Sequence, residues 1–307
     1  MKAFTDQKIT PFLWFDNQAE EAVNFYVSIF PDSEIGLLIR WPEETPFPSD
    51  STKPGTVQQV VFSLAGSQFF GFDAGPLFQF NPSISFFVQC DTEEEVEEIY
   101  GKLSEGGMPL MPLDKYHFSE KYGWIQDKYG VSWQVILAQG PVDQKIYPSL
   151  MYVGDNAGKA REAIDLYTSL FQNSRVGQIS TYGPDKLPDE EDSINYGEFF
   201  LENRKFTAMD SAHKHNFQFN EAISLYINCV DQQEIDFFWD SLTKEGSESA
   251  CGWLNDPFGV SWQIVPEFLM EILDDDEPEK AQNMMQAMSQ MRKLDEAVLR
   301  EAYSVSK

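Results

Sequence analysis

The sequence predicts an α+β chain of two tandem domains, each built from two βαβββ modules, with a C-terminal amphipathic helix. Three observations predict it. Long strings recur: Phe78-Gln79-Phe80-Asn81 with Ile84-Ser85 returns as Phe217-Gln218-Phe219-Asn220 with Ile223-Ser224. Gly123-Trp124 and Gly130-Val131-Ser132-Trp133-Gln134 return as Gly252-Trp253 and Gly259-Val260-Ser261-Trp262-Gln263. A period this long marks a duplicated domain, not a solenoid. The chain has 307 residues, enough for two domains of roughly 150 residues that each bury a core. Within each copy the pattern strand, helix, strands occurs twice.

The elements follow in order. Ile9–Phe15 is apolar and aromatic, a buried strand. Ala22, Phe25, Tyr26 and Ile29 sit at helical spacing in 19–30, and Pro31 stops that helix. Strands are predicted at 35–41, 57–64 and 68–72, with turn-rich breaks at 46–55 and Ala65-Gly66. A second module starts at 84–90. Asp91 and Glu94 read as the cap of a helix running to Ser104, ended by Gly106-Gly107. Strands near 123–126 and 131–137 close the copy around the turn Asp127-Lys128-Tyr129-Gly130. Copy two opens at Pro148-Ser149-Leu150-Met151-Tyr152, continues with Tyr167 and Phe171, and caps a helix with Asp231 and Glu234. The expected units are 1–140, 141–273 and a tail, 274–307. Each copy is expected to fold by itself, its two modules paired with one another. In the tail, 274–277 reads as a helix start before Pro278. Ala287, Met291, Leu294 and Val298 then follow at i, i+4, i+7, i+11, with Met284, Met285 and Met288 alongside. This face either docks on its own domain or bridges to a second subunit as a homodimer.

Composition narrows the partners. Fifty acidic against 22 basic residues give a net charge of −28. Such a field repels phosphate backbones and anionic lipid, so neither nucleic acid nor membrane is expected. No uncharged run is long and apolar enough to span a bilayer, and Met1 to Asp6 shows no leader-like apolar segment. Three cysteines without a C-x-x-C pair, two of them (Cys90, Cys229) at equivalent strand ends, suggest buried thiols of a reduced, cytoplasmic protein.

Three strings carry a resemblance: Ile9-Thr10-Pro11-Phe12-Leu13-Trp14-Phe15-Asp16, Ala22-Val23-Asn24-Phe25-Tyr26, and Asp127-Lys128-Tyr129-Gly130-Val131-Ser132-Trp133-Gln134. With the tail's Lys280-Ala281-Gln282 and residues 286–295, the chain resembles the PhnB-like branch of the vicinal oxygen chelate superfamily. That branch is also called 3-demethylubiquinone-9 3-methyltransferase-like; the superfamily holds glyoxalases, bleomycin-resistance proteins and dioxygenases. The resemblance implies tandem glyoxalase-like domains, each an incomplete barrel with a pocket in its concave face. It implies metal-ligand positions at about Thr10, Ser83 and Gln134 in copy one, and about Tyr147, Ala222 and Gln263 in copy two. None is an imidazole or carboxylate, the donors a divalent ion needs to offset its dehydration. No metal and no cofactor are therefore expected. No G-x-G turn occurs, so methyltransferase activity is not expected and that name is read as an inherited label.

The resulting expectation is a protein that binds a small organic molecule without the usual metal site. One rival is a metal-dependent enzyme of the superfamily (lyase, dioxygenase or transferase type) using Asp210, His213 and His215. Another is a degenerate assembly module. The paired candidates are Gln134 and Gln263, whose amides either orient a ligand or are satisfied within the sheet. Asp73 and Asp210 end equivalent strands, as ligand carboxylates or as turn formers. Trp124 and Trp253, with Trp14, Trp133, Trp262, Phe70 and Phe72, either wall an aromatic pocket or pack the core. His117 stands alone, and Cys251 has no basic neighbour in sequence.

Overall fold

The structure, a computed structural model, describes residues 7–43, 52–272 and 277–304. Copy one runs β1 (Ile9–Phe15), α1 (Ala19–Ile29), β2 (Glu34–Arg40), β3 (Val57–Leu64), β4 (Ser67–Asp73), then β5 (Ile84–Cys90), α2 (Glu93–Leu103), β6 (Met108–Tyr116), β7 (Ser119–Gln126) and β8 (Ser132–Leu137). Copy two runs β9 (Ile146–Val153), α3 (Ala160–Leu170), β10 (Arg175–Thr181), β11 (Ile194–Leu201), β12 (Arg204–Ser211), then β13 (Ile223–Cys229), α4 (Gln232–Thr243), β14 (Ser247–Glu248), β15 (Trp253–Asn255) and β16 (Ser261–Pro266). The tail follows as α5 (Phe268–Ile272), α6 (Pro278–Met288) and α7 (Glu296–Ser304).

The four modules build two mixed sheets of eight strands. The first has the order β14-β15-β16-β13-β1-β4-β3-β2, the second β10-β11-β12-β9-β5-β8-β7-β6. Each sheet therefore joins one module of each copy. The expectation that a copy's own two modules pair with one another is corrected. β1 pairs antiparallel with β13, Ile9 opposite Ile227 and Leu13 opposite Ile223; β5 does the same with β9. Ion pairs across the seams tie Lys8 to Glu234 and Lys145 to Glu95, each at 2.5 Å. Asn81 donates to the Gln218 carbonyl and Asn220 to the Gln79 carbonyl, at 3.0 and 2.9 Å. Duplication makes the modules chemically alike, so sequence pattern cannot choose between a module's own neighbour and its repeat.

One face of each sheet carries the helices. Ala19, Ala22, Val23 and Tyr26 of α1 are fully covered, and their counterparts Ala160, Ala163, Ile164 and Tyr167 of α3 match them. The small residues let each helix lie close against its strands. These faces merge into one core containing Phe62, Phe86, Trp133, Phe199 and Trp262. Within it lie two equivalent buried carboxylates. Asp127 accepts from the Tyr26 hydroxyl and the Trp133 indole at 2.8 Å each, and from the amides of Tyr129 and Val131. Asp256 accepts from Tyr167 at 2.6 Å, Trp262 at 2.9 Å, and the amides of Phe258 and Val260. The turn that presents each carboxylate needs a left-handed residue, supplied by Gly130 (φ 94°) and Gly259 (φ 85°).

Two local expectations change. Thr92, not Asp91, caps α2: its hydroxyl accepts from the Glu95 amide while Glu95 reaches back to the Asp91 amide. In copy two the cap is Asp231 with Glu234, as expected. β6 was not predicted, because Pro109 and Pro112 argue against a strand; it is an edge strand with three register shifts, where proline is tolerated. Cys90 and Cys229 are buried free thiols.

The tail is not one helix. α6 starts at Pro278 as expected, though 274–276 lie outside the described residues. It stops at Met288, and α7 begins only at Glu296. The tail packs on the helix-free face of the first sheet: Met284, Leu294 and Leu299 are buried against Phe12, Val61, Phe70, Tyr226 and Val265. The amides of Cys251 and Gly252 donate to the carbonyls of Met291 and Arg292, both at 2.8 Å. Lys293 pairs with Asp236 and Asp240. Val298, expected at the contact, is 43% exposed because α7 restarts the phase.

Two measurements test this architecture. Leu294→Ala should cost roughly 2–5 kcal/mol of stability, whereas Val298→Ala should stay within about 0.5 kcal/mol; equal melting of the two variants would contradict the packing. Residues 1–140 alone leave β1 without β13 and β5 without β9, so each keeps one neighbour, β4 or β8, and exposes one open edge. Mass measurement should therefore show them pairing as a dimer, β1 of one fragment on β5 of the next. A stable monomeric fragment would refute the cross-copy sheets.

Candidate functional site

The helix-free faces of the two sheets are the candidate sites, and registers fix what each presents. On the first sheet Thr10 lies opposite Tyr226, and Tyr226 beside Gln263. On the second, Tyr147 lies opposite Phe87, and Phe87 beside Gln134. Four of the six expected ligand positions thus fall in two rows. Ser83 and Ala222 do not; Phe87 and Tyr226 take their places. A phenol, a hydroxyl, amides and a phenyl ring do not suit a divalent ion.

The second sheet's face is built around an aromatic cluster: Phe87, Tyr122, Trp124 and Tyr147, with Met151 and Val153. Phe87 and Tyr147 stack, ring centroids 5.4 Å apart at 14°. The Gln134 amide donates to the Ser85 hydroxyl at 2.8 Å and accepts from the Tyr122 hydroxyl at 2.6 Å. Trp124 donates to Ser132 at 2.6 Å. Burial pushes the Tyr122 and Tyr147 phenols well up, so both stay protonated donors. Across the middle runs a polar row in register: Ser85 opposite Ser149, Ser149 beside Thr207, Thr207 opposite Glu198. Thr207 is 1% exposed, and its hydroxyl finds no hydrogen-bond partner among the described residues. Glu198 is paired with Lys205 at 2.5 Å, and the Lys205 ammonium lies over the Tyr147 ring at 4.7 Å.

The first sheet repeats the frame with different chemistry. Gln263 donates to Ser224 at 2.9 Å, as Gln134 does to Ser85. The row in register, however, is Ser224, Phe12, Phe70, Val61. Phe12, Phe70 and Val61 stand where the second sheet has Ser149, Thr207 and Glu198. This apolar row is what the tail covers. Trp253 is turned toward Phe12 and Trp14, at 5.7 and 6.0 Å. Among the described residues, Ser261 Oγ, the counterpart of Ser132, is buried without a hydrogen-bond partner, as are the Tyr226 hydroxyl and Asn228 Oδ1.

The other candidates lie elsewhere. Asp73 is on the helix side and caps α1, accepting from the amides of Gln18 and Ala19 at 3.0 and 3.1 Å. Asp210 caps α3 through the amides of Gly158 and Ala160, and its other oxygen accepts from Ile194. Both serve helix N-termini rather than turns. His215 bonds Ser211 at 2.8 Å, while His213 faces Asp189 at 3.5 Å. Among the described residues, no three His, Cys, Asp or Glu side chains gather as a metal cluster. His117 is exposed in the β6–β7 turn, beside Phe118. Trp133 and Trp262 belong to the core. Sequence reading missed the polar row, because Ser149, Thr207 and Glu198 become neighbours only through registers.

Three comparisons bear on this frame. The family profile described as 3-demethylubiquinone-9 3-methyltransferase matches residues 7–136 and again 144–265. A PhnB protein from Bacillus cereus, described as a 3-demethylubiquinone-9 3-methyltransferase, is 48% identical over 43% of this chain and 100% of its own (TM-score 0.40). A protein from Staphylococcus aureus is 37% identical over 44% of this chain and 98% of its own (TM-score 0.19). Glyoxalase I from Zea mays is 13% identical over 88% of this chain and 98% of its own (TM-score 0.53), a likeness of fold alone. No curated protein matches the chain.

Asp73 gives a pH test. Burial raises its carboxyl from 3.8 to about 6. A carboxyl that binds its proton more tightly when folded adds stability fully below the unfolded value, and that stability fades as pH rises through about 6. Between pH 4 and 7 the loss should approach roughly 3 kcal/mol, and Asp73→Asn should abolish that part of the pH dependence. An unchanged melting-versus-pH curve in the variant would overturn this.

Proposed function

Because the chain belongs to the 3-demethylubiquinone-9 3-methyltransferase (PhnB-like) family, in two tandem copies, we propose that it binds a small organic molecule on the helix-free face of its second sheet, without the metal ligands of the wider superfamily. One observation carries the choice of face. The first sheet's face is covered by the chain's own tail on an apolar row, while the second sheet's face keeps a polar row beside an aromatic wall. A planar, partly polar ligand suits it: rings stack on Phe87, Tyr147 and Trp124, and polar substituents meet Thr207, Gln134 and the Glu198–Lys205 pair. Thr207 supports the reading because its buried hydroxyl, without a partner among the described residues, lies within the polar row where a ligand's polar group would meet it. The methyltransferase in the family's description finds no support in the sequence. No G-x-G turn is present, and both sheets are mixed rather than parallel and doubly wound.

A thermal-shift screen of planar aromatic and heteroaromatic compounds on the full chain tests this. A true ligand at a hundred times its dissociation constant should add about 2.7 kcal/mol of stability and change Trp124 fluorescence. Thr207→Val keeps the shape and removes the hydroxyl. It should leave stability near the parent's and weaken binding about five- to tenfold. Hits indifferent to both Thr207→Val and Phe87→Ala would place the site elsewhere.

A further inference from the structure

The two copies meet at a narrow pocket that has nothing to do with either helix-free face. It lies where the start of β4 in the first sheet faces the start of β12 in the second. The repeat relates its walls: Gln7 corresponds to Gln144, Pro11 to Pro148, Phe69 to Phe206. Gln7 and Gln144 play the same part in each half. Gln7 accepts from the Gln68 amide and donates to the Ile9 carbonyl; Gln144 accepts from the Lys205 amide and donates to the Ile146 carbonyl. One pair breaks the correspondence. Ser67 on β4 is answered by Arg204 on β12, and Arg204 Nη2 donates to Ser67 Oγ across the junction at 2.7 Å.

Among the described residues no carboxylate pairs with Arg204, although the chain carries 50 acidic residues and the half-buried Lys8, Lys121, Lys145 and Lys205 are each matched to a glutamate. A guanidinium offers five N–H donors, and Ser67 takes one. The remaining pocket wall is uncharged: glutamines, prolines, Ile9, Ile146 and two phenylalanines. Burial lowers the affinity of Arg204 for its proton without making the group neutral. A partly desolvated, permanent cation beside apolar walls attracts a counter-charge more strongly than a surface one does. The acids of the remote surface oppose this little, because salt screens them beyond about 8 Å.

We propose that this junction is a binding site for one compact anion, a halide or the head of a small carboxylate, held by Arg204 with the second amide N–H of Gln144. The narrowness of the pocket selects against larger ligands. Because Arg204 belongs to the second sheet and Ser67 to the first, an anion here would brace the contact between the sheets.

Chloride-35 line broadening with the full chain measures binding, and bromide anomalous diffraction from crystals of the same protein locates it. The parent should broaden the chloride signal, formate should reverse the broadening, and one bromide peak should lie within hydrogen-bond reach of Arg204. Arg204→Gln should lose both signals. Should that variant fail to fold, Ser67→Asp serves instead: it keeps the arginine but supplies an internal carboxylate, and should also abolish binding. Broadening retained in Ser67→Asp or Arg204→Gln, or a bromide peak elsewhere with the pocket empty, would overturn the proposal. A parent that does not broaden the signal would overturn it as well. Failure here leaves the ligand face of the second sheet untouched, since the two share no side chain of the test.

Discussion

The fold depends on how two carboxylates are buried. Asp127 and Asp256 each sit in the core, where an ionised oxygen pair is expensive unless every lone pair is used. Each collects four donors, from a phenol, an indole and two backbone amides. The phenol is the decisive one. Tyr26 lies on a helix packed against the first sheet, while Asp127 and Trp133 belong to the second; Tyr167 and Asp256 reverse that arrangement. Each copy is thus split between sheets by strand pairing and held together again by one carboxylate. Burial raises the carboxyl of Asp127 and the phenol of Tyr26, consistent with groups committed to one another rather than to solvent.

This division of labour explains why a duplicated chain can diverge safely. Seams, helix caps and carboxylate turns all lie on the helix side or at strand ends, and both copies keep them. Asp73 and Asp210 reach across to cap α1 and α3 in the same way. The opposite faces carry none of these duties. Substitutions there change what a face can hold without disturbing what holds the sheets. The duplicated Gln134–Ser85 and Gln263–Ser224 bonds mark the common starting point.

Much of this was legible in the sequence, and the failures share a cause. The repeat, the first strand at Ile9–Phe15, the third at Val57–Leu64, the Asp231–Glu234 cap and the buried thiols all rest on local pattern or on comparison of copies. What local pattern cannot carry is partner choice. The pairing of β1 with β13 rather than with its own copy, the row Ser149–Thr207–Glu198, and Arg204 facing Ser67 depend on contacts far apart in sequence. Asp127 was visible only as a turn residue, although its fixed spacing to Trp133, repeated as Asp256 to Trp262, was the available signal. The tail misled for a different reason. Its apolar residues do lie at helical spacing, but the chain leaves the helix after Met288 to hydrogen-bond the edge at Cys251 and Gly252, and the phase is lost before Val298.

The contrast between the two faces follows from three positions. With Phe12, Phe70 and Val61 in register, the first sheet offers an apolar strip that Met284, Leu294 and Leu299 can bury, each worth roughly 1.5–3 kcal/mol when fully covered. That gain is large enough to leave the Tyr226 hydroxyl, which lies among the tail's apolar contacts, without a partner among the described residues, at about 1–3 kcal/mol. With Ser149, Thr207 and Glu198 instead, the second sheet would strand still more polar groups under any methionine-rich cover. The methionine-rich tail offers that row no hydrogen bonds of its own. An apolar row selects a cover from the protein's own chain, and the polar row in the same frame is the one our proposal gives to a ligand.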